Sequence, residues 1–396
     1  MKTPANKMSL LFYDDSPVFG GHEVMSLLGL TAVLGQFPGP VRFMAAAANT
    51  KLCDQVTSIA ARHRNLSLIP LDYHSSKLEA LRNRLRPSRI QALAERFRQF
   101  QPSLVVAIQG NIEHSSLALH AARTAAIRSI SYIPVPHSNA DMGARLGTLR
   151  DRFAARLFQL PDSFITITDE MARLLRHRGA TAPIHIVYNG IDTARFQPGD
   201  PSHACRQLKL PSDKIRLGMI GRIELRQKQQ HLLVQSLAAN PSLAESCHLV
   251  FAGDGPDLSE LQDQVRRHGI TATFLPWCDP ALLYQALDAL IIPSRYEGLP
   301  LVMLEALASG TAVLASDRDG MKDLLPPAWR FDPNNPTALA AALGRFIAHH
   351  QPRPDPVLVE RVRNSMSLQS FERTFAAAIL ACECHDQDTG AAIHQS

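Results

Sequence analysis

One alternation runs through this chain twice and restricts its fold more than any other feature: short runs of apolar and β-branched residues, each followed by a longer amphipathic stretch. In the first half the short runs are SLLFYDD (9–15), VRFMAAA (41–47), SLVVAIQ (103–109), SISYIPVPH (129–137) and SFITITD (163–169). After a punctuated segment, FQPGDPSH (196–203), the alternation restarts with IRLGMIG (215–221), CHLVFAG (247–253), ATFLPW (272–277), ALIIPS (289–294) and TAVLAS (311–316). Short runs that are apolar throughout suit strands covered on both faces, and the helical stretches between them suit the crossovers of a parallel sheet. The expected class is therefore α/β, with two doubly wound Rossmann-like domains facing across a cleft. Residues 1–198 form the first, 199–365 the second, and 366–396 a terminal helix and tail returning toward the first. In open sheets of this kind ligands bind beyond the carboxyl ends of the strands, which directs attention to the strand-to-helix loops.

Composition narrows the class further. With 396 residues, 45% of them hydrophobic and 19% charged, the chain can build two cores. No apolar run approaches the roughly 18 to 20 residues of a membrane-spanning helix, and MSLLF (8–12) is too short for a signal-peptide core. The expected location is the cytoplasm. Six cysteines show neither disulfide-framework nor metal-finger spacing, and CECH (382–385), the closest cluster, lies in a polar tail. The charge is uneven: residues 1–199 carry 23 Lys and Arg against 14 Asp and Glu, a balance of +9, whereas residues 200–396 carry 18 against 22, a balance of −4. Much of the excess sits in residues 77–100 and 145–158, where Arg alternates with Leu, Ala and Phe at helical spacing. Such faces are either simply solvated or meet anionic lipid headgroups, which places a peripheral position on the inner face of the cell membrane among the expectations. Nucleic acid is not an expected partner, because no aromatic platform or recognition motif accompanies the charge.

Two loops carry the chemistry. In SRYEGLPLVMLEALASGTAVLAS (294–316), strand, loop, helix and strand follow in order, and Pro300 suits a first helical position because its missing N–H costs nothing there. The free N–H groups of Leu301 and Val302 then point an electropositive helix end at a ligand, a place for an anion. Glu297 before the turn and Glu305 about one helical turn inside are out of place beside an anion unless they hold hydroxyls. Both are expected to face the same helix start. A ligand that is part phosphate and part polyol, a nucleotide sugar, satisfies both demands. In the segment from Gly218, the strand ends at Gly221, and Arg222 and Lys228 follow in one loop, two cations able to neutralise a departing diphosphate.

In their order and spacing these segments resemble the retaining glycosyltransferases of family 4, which have the two-domain glycosyltransferase-B architecture. The likeness covers nearly the whole chain: FGGHE (19–23), VYNGIDTARF (187–196), GRIELRQK (221–228), FAGDGPDLSEL (251–261), FLPWCDP (274–280), and the two glutamates with seven residues between them. The resemblance implies that Arg222 and Lys228 hold the donor diphosphate, that Glu297 contacts the transferred sugar, and that the backbone of Gly298, Leu299, Pro300, Leu301 and Val302 meets sugar and phosphate oxygens. Glu305 would hold the ribose hydroxyls, and Cys278 and Asp279 would approach the base, mainly through backbone. Gly20 and Gly21 match a glycine loop near the donor phosphates, and His137 a histidine near the reacting sugar. Two departures stand out. Pro276 replaces a common glycine, and DGMKD (319–323) replaces a Gly-Gly…Glu pattern.

The expected reaction moves a sugar from a nucleotide diphosphate sugar, a co-substrate, to a hydroxyl of a glycan or lipid-linked acceptor, as in polysaccharide or lipopolysaccharide assembly. No cofactor and no metal ion are expected: Asp317 and Asp319 resemble the Asp-x-Asp of metal-dependent transferases but sit in a Gly-containing loop where turn chemistry explains them. A nicotinamide-dependent oxidoreductase is the weaker alternative, since FGGHE stands where G-x-G-x-x-G would be needed. A non-catalytic relative serving as an assembly protein is the other.

Overall fold

The structure is a computed structural model that describes residues 8–349 and 353–384. The CECH segment runs beyond those residues. Contacts group the chain into two units, one holding the described residues up to Tyr188 together with those from Phe371 onward, the other running Asn189–Ser370. Residues 189–198, grouped with the first domain in the sequence reading, bond within the second unit. Ile191 N–H donates to the Met366 carbonyl at 2.9 Å and Leu368 N–H to the Ile191 carbonyl at 2.9 Å.

Seven parallel strands make the first sheet: β1 (Leu10–Asp14), β2 (Val41–Ala46), β3 (Leu66–Leu71), β4 (Leu104–Ile108), β5 (Arg128–Tyr132), β6 (Ser163–Thr166) and β7 (Ile184–Ile186), in the order β3-β2-β1-β4-β5-β6-β7. β1 and β4 run side by side, Leu10 opposite Leu104 through Tyr13 opposite Ala107, and every residue of both is buried. The second sheet contains β8 (Ile215–Ile220), β9 (Cys247–Ala252), β10 (Ala272–Leu275), β11 (Ala289–Ile292), β12 (Ala312–Ser316) and β13 (Arg330–Phe331), in the order β10-β9-β8-β11-β12-β13. Each sheet therefore reverses direction beside its first strand, between β1 and β4 and between β8 and β11, and the loops leaving those strands diverge at the carboxyl edge. Both units are Rossmann-like.

Local chemistry sets the element ends. Asp200 and Asp279 accept from the N–H groups of Ser202 and Ala281 and so cap the helices Pro201–Leu208 and Pro280–Ala286, whose opening proline has no N–H to satisfy. Where the sequence suggested a strand through His137, β5 stops at Tyr132, because Pro134 and Pro136 cannot donate to a ladder. The Arg-rich stretch 77–100 is two helices, Glu79–Leu85 and Pro87–Phe100, and part of its charge turns inward. Arg89 lies 2.8 Å and Arg82 3.4 Å from the fully buried Glu79 carboxylate, while Arg150 donates through Nε at 2.7 Å to buried Glu113. The final helix, Leu368–Cys384, packs Phe375 against Gly29, where a Cβ would come within 2.4 Å of the ring, and edge-on to Tyr132 at 5.4 Å. Among the described residues no helix is long and apolar enough to cross a membrane.

Candidate active site

The loop after β8 lies directly on the loop after β9. Gly221 adopts φ +124° and donates to the Ala252 carbonyl at 2.9 Å; Gly253 adopts φ +131°, and a Cβ there would meet the Gly221 carbonyl oxygen at 2.2 Å. Two residues on, Ile223 N–H reaches the Asp254 carbonyl at 2.9 Å and Leu225 N–H reaches Asp257 Oδ2 at 2.7 Å. Glycine is required at 221 by its dihedral and at 253 by dihedral and contact together. Held this way, the loop projects two cations. Lys228 Nζ lies 2.6 Å from Glu297 Oε1, and Arg222, largely exposed, pairs with Glu224 of its own loop. Gln230 at the start of the next helix donates to the Arg222 carbonyl at 3.0 Å.

Glu297 arrives from the loop between β11 and the helix Leu301–Ala308. Pro300 is the capping residue, extended at ψ 123°, rather than the first helical residue, and its carbonyl accepts from Met303 and Leu304. Proline has no side-chain acceptor, so the helix start is uncapped by any side chain, with Leu301 and Val302 N–H groups beyond the reach of intrahelical acceptors. Three bonds fix the Gly298-Leu299-Pro300 turn and its approach: Asn189 Nδ2 donates to the Leu299 carbonyl at 2.9 Å, Gly320 N–H to the Gly298 carbonyl at 3.0 Å, and Glu297 N–H to Asp319 Oδ2 at 2.8 Å. The divergent DGMKD segment thus acts as a brace. Its Asp319 holds φ +53°, while Asp317 turns the other way onto Arg330 at 2.6 Å. Lys228, Gln230, Ser294, Glu297 and Val302 line one small pocket at the ends of β8 and β11.

The two glutamates, both expected to face the helix start, have different partners. Glu305, five residues into the helix, accepts from the Tyr284 hydroxyl at 2.7 Å; burial raises its pKa, opposed by that bond and by the charge of Arg195. Arg195 itself sits 2.8 Å from Asp279, and this bond holds the Asp279 carboxyl below its ordinary value. Cys278 is half-buried, its thiol pushed up by burial, and Trp277 beside it is exposed. Glu297 belongs with Lys228, and Glu305 with Tyr284, Arg195 and Asp279. Tyr284, Asn189, Arg195 and Gln230 escaped the sequence reading. Asn189 and Arg195 stand inside VYNGIDTARF and were open to suspicion there, whereas nothing local marks Tyr284.

Gly20, Gly21 and His137 belong to the first unit. Gly20 caps the helix Gly21–Gln36 and donates to Glu23 Oε2 at 2.7 Å; a Cβ on Gly21 would touch nothing within 4 Å. His137 is buried in the loop after β5.

Two Rossmann-like units, one carrying a lysine–glutamate pair beside an uncapped helix start, have the architecture of the glycosyltransferase-B class. Residues 50–195 match the family model described as Glycosyltransferase Family 4, and residues 204–356 the one described as Glycosyl transferases group 1. The chain belongs to this family of glycosyltransferases. A D-inositol 3-phosphate glycosyltransferase from Geodermatophilus obscurus is 30% identical over 57% of this chain and 52% of its own length. A lipopolysaccharide core biosynthesis mannosyltransferase, LpsB, from Rhizobium meliloti is 34% identical over 36% of this chain and 43% of its own. The chain thus spans about half the length of the curated relatives it matches. In fold it is similar to Anabaena HepE in complex with UDP-glucose, with TM-score 0.71 and 18% identity over 94% of this chain and all of that one. The lipopolysaccharide outer core galactosyltransferase WaaB gives the same TM-score and identity over 95% of this chain and all of its own.

Proposed function

We propose that this protein transfers a hexosyl unit from a nucleoside diphosphate sugar to a hydroxyl of a glycan or lipid-linked acceptor, with retention of anomeric configuration. One observation carries the reading: Lys228 and Glu297, 2.6 Å apart, stand at the start of the helix Leu301–Ala308, with Arg222 supplied by the same loop as the lysine. A diphosphate entering there exchanges the Glu297 carboxylate for its own oxygens as partner to Lys228, and frees Glu297 to orient sugar hydroxyls. Glu305 keeps one oxygen on Tyr284 and offers the other to the ribose. As the bond between the anomeric carbon and the diphosphate oxygen breaks, its electron pair stays on that oxygen. The acceptor oxygen bonds to the carbon on the same face, and the acceptor proton passes to the leaving oxygen. Arg222, Lys228 and the helix dipole stabilise the charge that develops. No protein nucleophile is needed, and the diphosphate departs without a bridging metal ion. His137 is assigned to the reacting sugar by resemblance; His137→Ala should lower kcat and leave donor affinity in place.

UDP-glucose, UDP-galactose and GDP-mannose are the first donors to test by thermal shift, since a ligand selective for the native state raises Tm. With the donor that binds, Arg222→Ala and Lys228→Ala should each lower kcat about 10²- to 10³-fold. Undiminished transfer in both variants overturns the proposal.

The acceptor side of the reading includes a membrane surface. Leu85, Leu146 and Leu149 are 72%, 59% and 46% exposed and stand among the exposed Arg84, Arg86, Arg145 and Arg152. Arg84 stacks over Phe153 at 5.7 Å and so joins the two helices that carry them. Apolar side chains ringed by arginines suit an anionic lipid surface and a peripheral location on the inner face of the cell membrane. Flotation with vesicles rich in anionic lipid should carry the protein at low salt and release it at high salt, and Leu146→Asp with Leu149→Asp should abolish flotation. If the unaltered protein stays behind at low salt, a soluble acceptor replaces the lipid-linked one.

A further inference from the structure

At the carboxyl edge of the first sheet, where β1 and β4 part, three side chains converge that the transfer reaction does not use. Asp14 ends β1, and His22 and Glu23 open the helix Gly21–Gln36. One ligand atom from each lies within 4.8 Å of the other two. Both carboxylates are divided in the same manner. Asp14 Oδ1 accepts from the Ser16 N–H at 2.9 Å, and Glu23 Oε2 accepts from the Gly20 N–H at 2.7 Å. Each is thereby oriented by one oxygen and presents the other. Glu23 Oε1 stands 2.9 Å from His22 Nε2, and Asp14 Oδ2, on a residue with no exposed surface, has no hydrogen-bond partner.

The neighbouring chain makes room for the imidazole. Gly110, just beyond β4, has an ordinary negative φ, so no dihedral demands glycine there; a Cβ would come within 2.6 Å of His22 Cε1 and 2.9 Å of His22 Nε2. It would also come within 3.3 Å of His114 Nδ1, a second buried atom without a hydrogen-bond partner. His114 Nε2 meets Asn111 Nδ2 at 3.1 Å, and since that amide nitrogen can only donate, the ring proton belongs on Nδ1. A second buried donor without a partner therefore stands across Gly110 from His22, no more than a side chain's breadth away.

We propose that Asp14, His22 and Glu23 bind one divalent transition-metal ion of the zinc class. The charges suit it: two carboxylates and a neutral imidazole match a dication. The donors suit it as well, because imidazole favours ions such as zinc, iron, nickel or copper over magnesium and calcium, which prefer all-oxygen shells. Two ligands each about 2.1 Å from a tetrahedral ion stand about 3.4 Å apart, so His22 Nε2 and Glu23 Oε1, at 2.9 Å, need to part by only a few tenths of an ångström to admit one. Backbone bonds to the second carboxylate oxygens are the outer-shell orientation that metal-binding carboxylates require. Three protein ligands leave coordination positions for water. The ion ties the end of β1 to the start of the helix that follows; every residue involved belongs to the first unit, and none belongs to the diphosphate grip of the second.

The test uses the full chain, stripped by chelator and dialysed. Zn²⁺ titrated against a chromogenic competitor should bind at one ion per chain and raise Tm, and tenfold excess Mg²⁺ should not displace it. Co²⁺ in its place should give a d–d spectrum without the thiolate charge-transfer band that cysteine ligands produce. Asp14→Asn, which keeps the acceptor for Ser16, and His22→Gln should each weaken Zn²⁺ at least about tenfold while preserving the far-UV circular dichroism of the stripped protein. Gly110→Ala, which displaces the imidazole without removing a ligand, should weaken it as well. Failure of the folded, stripped protein to bind Zn²⁺ above adventitious levels overturns the proposal. So does binding of unchanged strength in both Asp14→Asn and His22→Gln, or a cobalt spectrum dominated by thiolate. If one of these variants does not fold, the remaining two decide.

Discussion

Tyr284 and Glu305 show how much one hydroxyl decides at the site. The carboxylate is largely buried, one of its oxygens is satisfied by the 2.7 Å bond from Tyr284, and the phenol is held far from ionising by the same burial. Tyr284→Phe removes the donor and leaves a buried oxygen without it. The expected cost is about 1–3 kcal/mol, seen as a lower Tm, with a higher KM for the donor and a smaller effect on kcat. A variant with unchanged Tm and KM would show that Glu305 does not depend on this bond. His114 makes a second residue-scale case. Burial pushes its imidazole down to about 4, assisted by the charges of His22 and Arg150 and opposed by Glu23 and Glu79. Unfolded, the same ring titrates near 6.5. The neutral ring's contribution is therefore complete above pH 6.5. As pH falls from there toward about 4, the unfolded chain gains a proton that the native one refuses, and up to about 3 kcal/mol is lost. Urea unfolding of the wild type and His114→Gln across this window should show the wild type losing more stability. Parallel curves would rule the effect out.

At the scale of elements, the two stacked loops of the second unit make a sharp prediction. Gly253→Ala meets both a strained dihedral and the Gly221 carbonyl at 2.2 Å, whereas Gly221→Ala meets strain alone. Gly221→Ala should cost about 1–3 kcal/mol, Gly253→Ala more, and only the second should displace Lys228 enough to lower donor affinity; equal Tm values for the two would refute the loop contact. The same scale shows what the sequence made legible. Every strand with a neighbour on both sides declared itself as an apolar run, and the loops that leave the central strands β8 and β11 stood out by their glycines and charges. The strands that went unread were β3, β7 and β13, all at sheet edges. LSLIPL is half-exposed and contains a proline, IHI has only three residues, and RF two. Edges lack the burial that writes a hydrophobic run into a sequence. Site residues followed a similar rule. Lys228 follows a glycine that ends its strand and Glu297 lies between Pro293 and Gly298, and both were found, whereas Tyr284 lies on a helix where an aromatic residue passes as core. The helix start was displaced by one residue because Pro300 fits either side of a boundary.

Across the whole molecule, the first unit is discontinuous in sequence. Its last helix contributes Phe371 and Phe375, both fully buried, against Tyr132 and Gly29. A chain ended after Ser370 should keep amide protection in β8–β13 and lose it in β1–β7, measured by hydrogen exchange. Gly29→Val, which forces the Phe375 ring away, should weaken the same half in the full chain. Equal protection of both sheets in the shortened chain would show that the helix is dispensable. During synthesis the consequence is one of timing. A ribosome adding about 5–20 residues per second needs roughly 10–40 s to make the 189–370 stretch, and for that interval the earlier-made half waits with a bare aromatic socket, a natural client for chaperones until its final helix emerges.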